Sequence, residues 1–245
     1  MPQIDNSERA GASSGASDWT VPSAARPVDR GRPIVLLAQL LGTLAIIAFV
    51  PTNMGKTMSL LVLWGATFGR IGPKELALFI GVCGFFTVMN AMSLAQGIFS
   101  FSAPDFLGMP VYEFFMWGFY VLHTKRLLDD EAPSPSRAAW ALAVAYAIAF
   151  ASIKDAQLLL FVTGALLTVG VILFHTPRDL AFLGYMVLLG AAVEYTGVWS
   201  GQWVYPGAPV GGVPPWFVTL WGGVGLFFHR LILPLMVVRP RLATA

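Results

Sequence analysis

Residues 34–50 read IVLLAQLLGTLAIIAFV and residues 138–153 read AAWALAVAYAIAFASI, and neither stretch contains Asp, Glu, Lys or Arg. At about 1.5 Å of rise per residue, a helix of about 17 residues covers roughly 26 Å, close to the hydrocarbon thickness of a bilayer, about 30 Å. In lipid only helices and closed barrels satisfy every backbone polar group, and these runs lack the strict alternation of barrel strands. Helices are therefore predicted, and the chain is read as an all-α, multi-pass membrane protein.

The composition extends that reading to the whole chain. Of 245 residues, 56% are hydrophobic and only 11% charged, against roughly 45–50% and about 25% in soluble domains. The net charge of +2 is carried by residues scattered at helix ends, which argues against a nucleic-acid surface. Cys83 is the single cysteine; no intrachain disulfide can form, and it is read as a small packing residue.

Working outward, residues 1–31 are rich in Ser, Ala, Gly, Pro and charge and are expected to be a disordered cytoplasmic tail. They lack the apolar core of a cleavable signal peptide. Eight spans are predicted, near 34–51, 57–71, 75–99, 110–128, 138–154, 157–174, 179–202 and 215–237. With the N-terminus in the cytoplasm, the inner segments receive thirteen of the fifteen Lys and Arg residues, and the outer segments only Lys56 and Lys154. By the positive-inside rule both termini are placed on the cytoplasmic side of a plasma or cell inner membrane.

The chain also resembles itself. Sliding by 104 positions sets Pro73-Lys74-Glu75-Leu76-Ala77 on Pro177-Arg178-Asp179-Leu180-Ala181. It then pairs Gly97 with Gly201, Gly108 with Gly212, Pro110 with Pro214, Trp117-Gly118 with Trp221-Gly222, and Arg126-Leu127 with Arg230-Leu231. The matches fall on Pro, Gly, Trp and Arg, so two four-helix halves, 32–136 and 137–245, are expected as parallel repeats about an axis along the membrane normal.

Two acidic residues, Glu113 and Glu194, are read as lying within spans, where a charged group costs about 2.5–3.5 kcal/mol on insertion scales. Gly190, Gly197 and Gly201 share a helix face with Glu194, and this small-residue stripe is expected to admit a neighbouring helix and to turn the carboxyl towards protein. The counterpart of Glu194 is Asn90, with Ser93 and Gly97 on the matching face. Glu113 follows Pro110 in a first helical turn, where the macrodipole favours a carboxylate, and Trp117 and Tyr120 share its face. Trp199, Trp203, Tyr205 and Trp221 complete the expected substrate-binding surface. Phe99, Phe101, Trp203 and Tyr205 border the two outer loops, as the aromatic belt of a membrane interface or as the rim of an apolar ligand site.

Other chemistries find little support. His123, His175 and His229 are isolated and near inner span ends, so they are read as interfacial, and no metal site is expected. Met54-Gly55-Lys56-Thr57 resembles the end of a phosphate loop, but Val50 stands where the loop needs Gly. No cofactor is predicted. Acid–base chemistry remains: a buried acid can protonate a carbon–carbon double bond while Trp and Tyr faces stabilise the cation.

Two segments carry a family resemblance. Gly190-Ala-Ala-Val-Glu194-Tyr-Thr-Gly197, Gly201-Gln-Trp-Val-Tyr205 and Val213-Pro-Pro-Trp216 resemble the Glu-x-x-Gly…Gly…Tyr…Pro pattern of membrane carotenoid-biosynthesis proteins that include carotenoid hydratases. Pro110-Val-Tyr-Glu113-Phe-Phe looks like the Pro-x-x-Glu segment of lycopene-cyclase-type domains, although Tyr112 stands where that family often has a second acid. The resemblance covers about a third of the chain. It implies a cofactor-independent hydratase or cyclase acting on an isoprenoid or similar lipid, with Glu194 as principal acid and Glu113 and Asn90 in support. A proton-linked transporter and a non-enzymatic membrane assembly protein are the alternatives.

Overall fold

The protein, described from a computed structural model over residues 31–128 and 132–236, is all-helical apart from one two-stranded ribbon. Residues 1–30 of the expected tail and the basic residues Arg239 and Arg241 lie outside the described residues, while Gly31, also assigned to the tail, begins the first helix.

Each predicted span appears as a helical segment whose ends lie within about a turn of those expected, because the end signals are local. Helix α1 (Gly31–Phe49) stops just before Pro51. In α2 (Asn53–Phe68), Thr52 caps the Gly55 amide at 3.1 Å and Gly69, at φ 62°, ends the helix. Helices α3 (Pro73–Ala95) and α7 (Pro177–Trp199) begin on proline, which needs no amide donor there, and carry an acid at the third position that accepts from the backbone N–H of the capping residue. Ser136 and Asp155 cap α5 (Arg137–Ser152) and α6 (Ala156–Leu173). Helix α4 (Glu113–Leu128) follows Pro110. The last segment runs as α8 (Phe217–Phe227), a π turn (Phe228–Ile232) and α9 (Leu233–Met236). Pro234 stands just after the π turn, and a proline ring clashes with the carbonyl four residues before it in a regular α-helix, which the wider turn relieves.

Among the described residues, five segments are long and apolar enough to cross a bilayer: α1, α3, α6, α7 and Phe217–Met236. Helices α2, α4 and α5 have 16 residues each, roughly 24 Å. In α4 every residue from 116 to 124 is buried, so protein rather than lipid surrounds it. By contrast α3 buries none, and Ile80, Phe85 and Val88 project apolar surface outward.

Helices α4 and α8 form the centre, joined by the stacked rings of Trp117 and Trp221, 4.7 Å apart. Helix α1 packs on α2, α4 and α7, and α5 packs on α6, α3 and α8. At one end of the bundle, β1 (Ser100–Phe101) pairs antiparallel with β2 (Trp203–Val204), with Ser100 opposite Val204. At the other end Arg126 binds Glu75, and Arg230 binds Asp179.

Many of these details recur 104 positions apart. Phe106 bridges Met109, and Val210 bridges Val213. Leu107, at φ 51°, matches Gly211, at φ 59°, and Gly97 and Gly201 share φ values of 71° and 70°. A side chain at Gly118 would strike Phe79 and Cys83, and one at Gly222 would press on Leu183 and Val187.

The histidines depart from expectation. His175 is exposed, but His123 and His229 are buried. His123 Nδ1 lies 2.8 Å from Gln39 Oε1 and Nε2 2.5 Å from the Tyr185 hydroxyl. His229 Nδ1 lies 2.7 Å from Asp179. Each sits near a helix end, as the sequence indicated, but its partners come from helices distant in sequence.

Candidate functional site

Glu194 lies in the seventh helix with 7% exposure. Tyr205 O–H and Trp203 Nε1–H donate to its Oε2 at 2.8 and 3.1 Å, and Trp221 Nε1–H donates to Oε1 at 3.2 Å. The glycines around it explain how two indoles reach one carboxyl. A Cβ at Gly190 would collide with the Trp221 ring, and one at Gly197 with the Trp203 ring. The small-residue stripe was expected to admit a helix; it admits two tryptophan rings instead. Gly201 belongs to the turn after the helix, in the left-handed conformation that glycine tolerates.

Glu113, at the start of α4, has a sparser set of partners. Asn90 Nδ2 donates to its Oε1 at 3.0 Å, and among the described residues nothing bonds its Oε2. Asn90, the counterpart of Glu194, thus pairs within its own half. The first-turn position of Glu113 keeps it near the amides of residues 113–115, whose partners are the carbonyls of Pro110, Val111 and Tyr112.

Both carboxyls line one cavity of about 70 Å³ together with Asn90, Ser93, Trp117, Tyr120, Trp203, Tyr205 and Trp221. Phe86, Phe99, Phe101, Phe150 and Trp216 supply further aromatic walls, and Met89, Ile98, Leu159, Val193 and Leu220 fill between them. The loop aromatics Phe99, Phe101, Trp203 and Tyr205 therefore turn inward. Trp117 is held between Phe86, at 3.7 Å, and Trp221, and Tyr120 packs edge-on against Trp221 at 5.0 Å.

Trp199 does not join them. It is 75% exposed and packs on Tyr195 at 5.1 Å, because it sits on the opposite side of α7 from Glu194, where its ring faces the surroundings of the bundle. Residues that the sequence reading passed over include Phe86 and Phe150 on the cavity wall and the burial of Asp179 at the far end, a residue noted only for its place in the repeat. For Asp179, an acid three residues after Thr176 at a helix start was a legible capping signal, but its burial was not.

Chemically, the cavity presents a carboxyl with an uncommitted oxygen, a second carboxyl fixed by three donors, and π faces on most sides. Such a wall suits an apolar ligand on which positive charge develops. No family model matches the chain, and no curated protein and no solved structure matches it either.

Proposed function

We propose that this chain is a cofactor-independent acid–base enzyme of the membrane, a hydratase or cyclase that acts on the end of an isoprenoid or polyene. The observation that carries the reading is that Glu113 and Glu194 share one aromatic-walled cavity. Glu194 has both oxygens committed to donors, so it acts as a fixed negative pole. Glu113, with Oε2 uncommitted, is the acid. This exchanges the roles expected from sequence.

Glu113 transfers its proton to one carbon of a double bond, leaving a cation on the other, stabilised by Glu194 and the rings of Trp117 and Trp221. Water then adds and returns a proton to Glu113, or an internal double bond closes a ring and a proton is lost to the same carboxylate. No electrons are gained or lost. At about 70 Å³ the cavity takes one end of such a chain, and the remainder lies along the lipid-facing surface.

Two four-helix halves related by an axis along the membrane normal frame the site. The paired β1–β2 ribbon, the stacked Trp117 and Trp221, and the equivalent Glu75–Arg126 and Asp179–Arg230 pairs support that arrangement. All eight helical segments then cross the membrane, the short α4 being shielded by its neighbours. The end carrying Arg126 and Arg230 faces the cytoplasm of the plasma or inner membrane by the positive-inside rule, and the cavity opens nearer the other leaflet.

Expression in a polyene-accumulating host, with pigments extracted and compared, tests the reading. The wild type is expected to convert the polyene, and Glu113→Gln to lower conversion about a hundredfold or more. Unchanged pigments with the wild type would overturn it. A proton-linked carrier draws on the same two-halved architecture and differs in outcome: proton flux into liposomes that depends on Glu194 would favour it.

A further inference from the structure

We infer that Tyr120 holds the water that captures the cation, which makes hydration rather than ring closure the outcome at this site. The inference rests on the acid–base reading above and adds the nucleophile and the product class, a tertiary alcohol formed at a trisubstituted isoprenoid double bond.

Tyr120 is 2% exposed, yet among the described residues its hydroxyl has no hydrogen-bond partner. A buried phenol ordinarily finds one. Tyr146, also buried, does so by reaching the carbonyls of Thr163 and Thr219 at 3.0 and 2.9 Å. The residual surface of Tyr120 belongs to the cavity that it lines with Glu113. Three further atoms in that cavity have unused capacity: Oε2 of Glu113, Oδ1 of Asn90, whose amide nitrogen donates to Glu113, and the hydroxyl of Ser93. Glu194, in the same cavity, already has both oxygens engaged by three donors. The unengaged hydrogen-bonding capacity of the cavity is therefore greater on Glu113, Asn90, Ser93 and Tyr120 than on Glu194.

An ordered water needs two to four polar partners and about 10–15 Å³ of such space, and the cavity supplies both. A donor–acceptor hydroxyl is what the step demands. Tyr120 donates to the water oxygen's second lone pair or accepts one of its protons, and the remaining lone pair forms the new C–O bond. The proton released goes to the Glu113 carboxylate, which had given its own to the neighbouring carbon. The balance is one alkene and one water in, one alcohol out.

The test uses the full-length protein in membranes of a host accumulating an acyclic polyene with isopropylidene ends, incubated in heavy-oxygen water and, separately, in deuterium oxide. The wild-type product is expected to carry heavy oxygen in the first incubation and carbon-bound deuterium in the second. Tyr120→Phe is expected to lose the hydrated product about tenfold, the scale of one hydrogen bond, while Glu113-dependent deuterium transfer into the polyene persists, since the cation still forms and sheds a proton. Hydration by Tyr120→Phe at the wild-type level, or a wild-type product with deuterium but no heavy oxygen, overturns the inference and leaves the acid–base reading standing. Deuterium transfer that is absent, or equal in wild type and Glu113→Gln, overturns both. If Tyr120→Phe fails to accumulate, Tyr120→His replaces it: with a donor and an acceptor retained, hydration at near the wild-type level supports the assignment, and its loss with deuterium transfer intact opposes it.

Discussion

Trp203, Tyr205 and Trp221 each point a hydrogen at Glu194, and an amide in its place cannot serve all three. Whichever way the amide of Glu194→Gln is turned, its NH2 meets an indole N–H that can only donate. One buried donor is left unsatisfied, at about 1–3 kcal/mol. Glu113→Gln differs, because its carbonyl still accepts from Asn90 and the other position has no fixed donor. It should keep stability to within about 0.5 kcal/mol while losing conversion. Thermal unfolding of the purified protein in detergent, followed by tryptophan fluorescence, separates the two; equal destabilisation would contradict the division of roles. Gly197→Ala presses a methyl into the Trp203 ring and is expected to cost about 1–3 kcal/mol and to impair conversion, read by the same melt and by pigment analysis. At this scale the sequence named Glu113, Glu194, Asn90 and most of the aromatics, since charge and tryptophan in apolar spans are conspicuous. It did not show which oxygens were occupied.

Among the elements, helices α3 and α7 start on the same proline-led cap and each ties its third-position acid to an arginine near the end of the partner helix. The two ties differ in burial. Asp179 is fully buried and held by Arg230, His229 and Thr176, whereas the side chain of Glu75 keeps 18% exposure and also meets Lys125. Arg230→Ala leaves a buried charge short of its main partner, which costs about 3–5 kcal/mol. Arg126→Ala should cost clearly less, because water and Lys125 can compensate. Chemical denaturation in mixed micelles ranks them, and a reversed order would show that the burial difference does not govern. Helix starts and stops were legible because proline, glycine and capping side chains act within one turn. The π turn before Pro234 was not singled out, although its cause is local.

Across the whole molecule, the β1–β2 ribbon brings together two loops that the sequence holds far apart. Ser100 and Val204 stand opposite each other, and antiparallel partners lie about 4.5–5.5 Å apart at Cα, within reach of a disulfide. The variant Ser100→Cys, Val204→Cys, made with Cys83→Ala, is expected to cross-link within one chain on mild oxidation and to shift in gel mobility until reduced. Two cysteines that react freely with a thiol reagent and never cross-link would contradict the pairing. The cross-link also asks whether the cavity, roofed by residues that flank this ribbon, must open for substrate: conversion blocked by oxidation and restored by reduction would say that it must.

The sequence by itself determined an all-helical chain with apolar helices of membrane-crossing length and where its helix segments end, and it drew attention to two acids among aromatic rings. Hydropathy, proline and capping chemistry are read over a few residues, so the chain carries them in plain order. Only the tertiary structure decided that both acids meet in one cavity, that Asn90 serves Glu113, that Trp199 stays outside, and that His123 and His229 turn inward. Those outcomes depend on how each helix is rotated against neighbours distant in sequence, and a local pattern fixes the face a residue occupies without fixing what that face will meet.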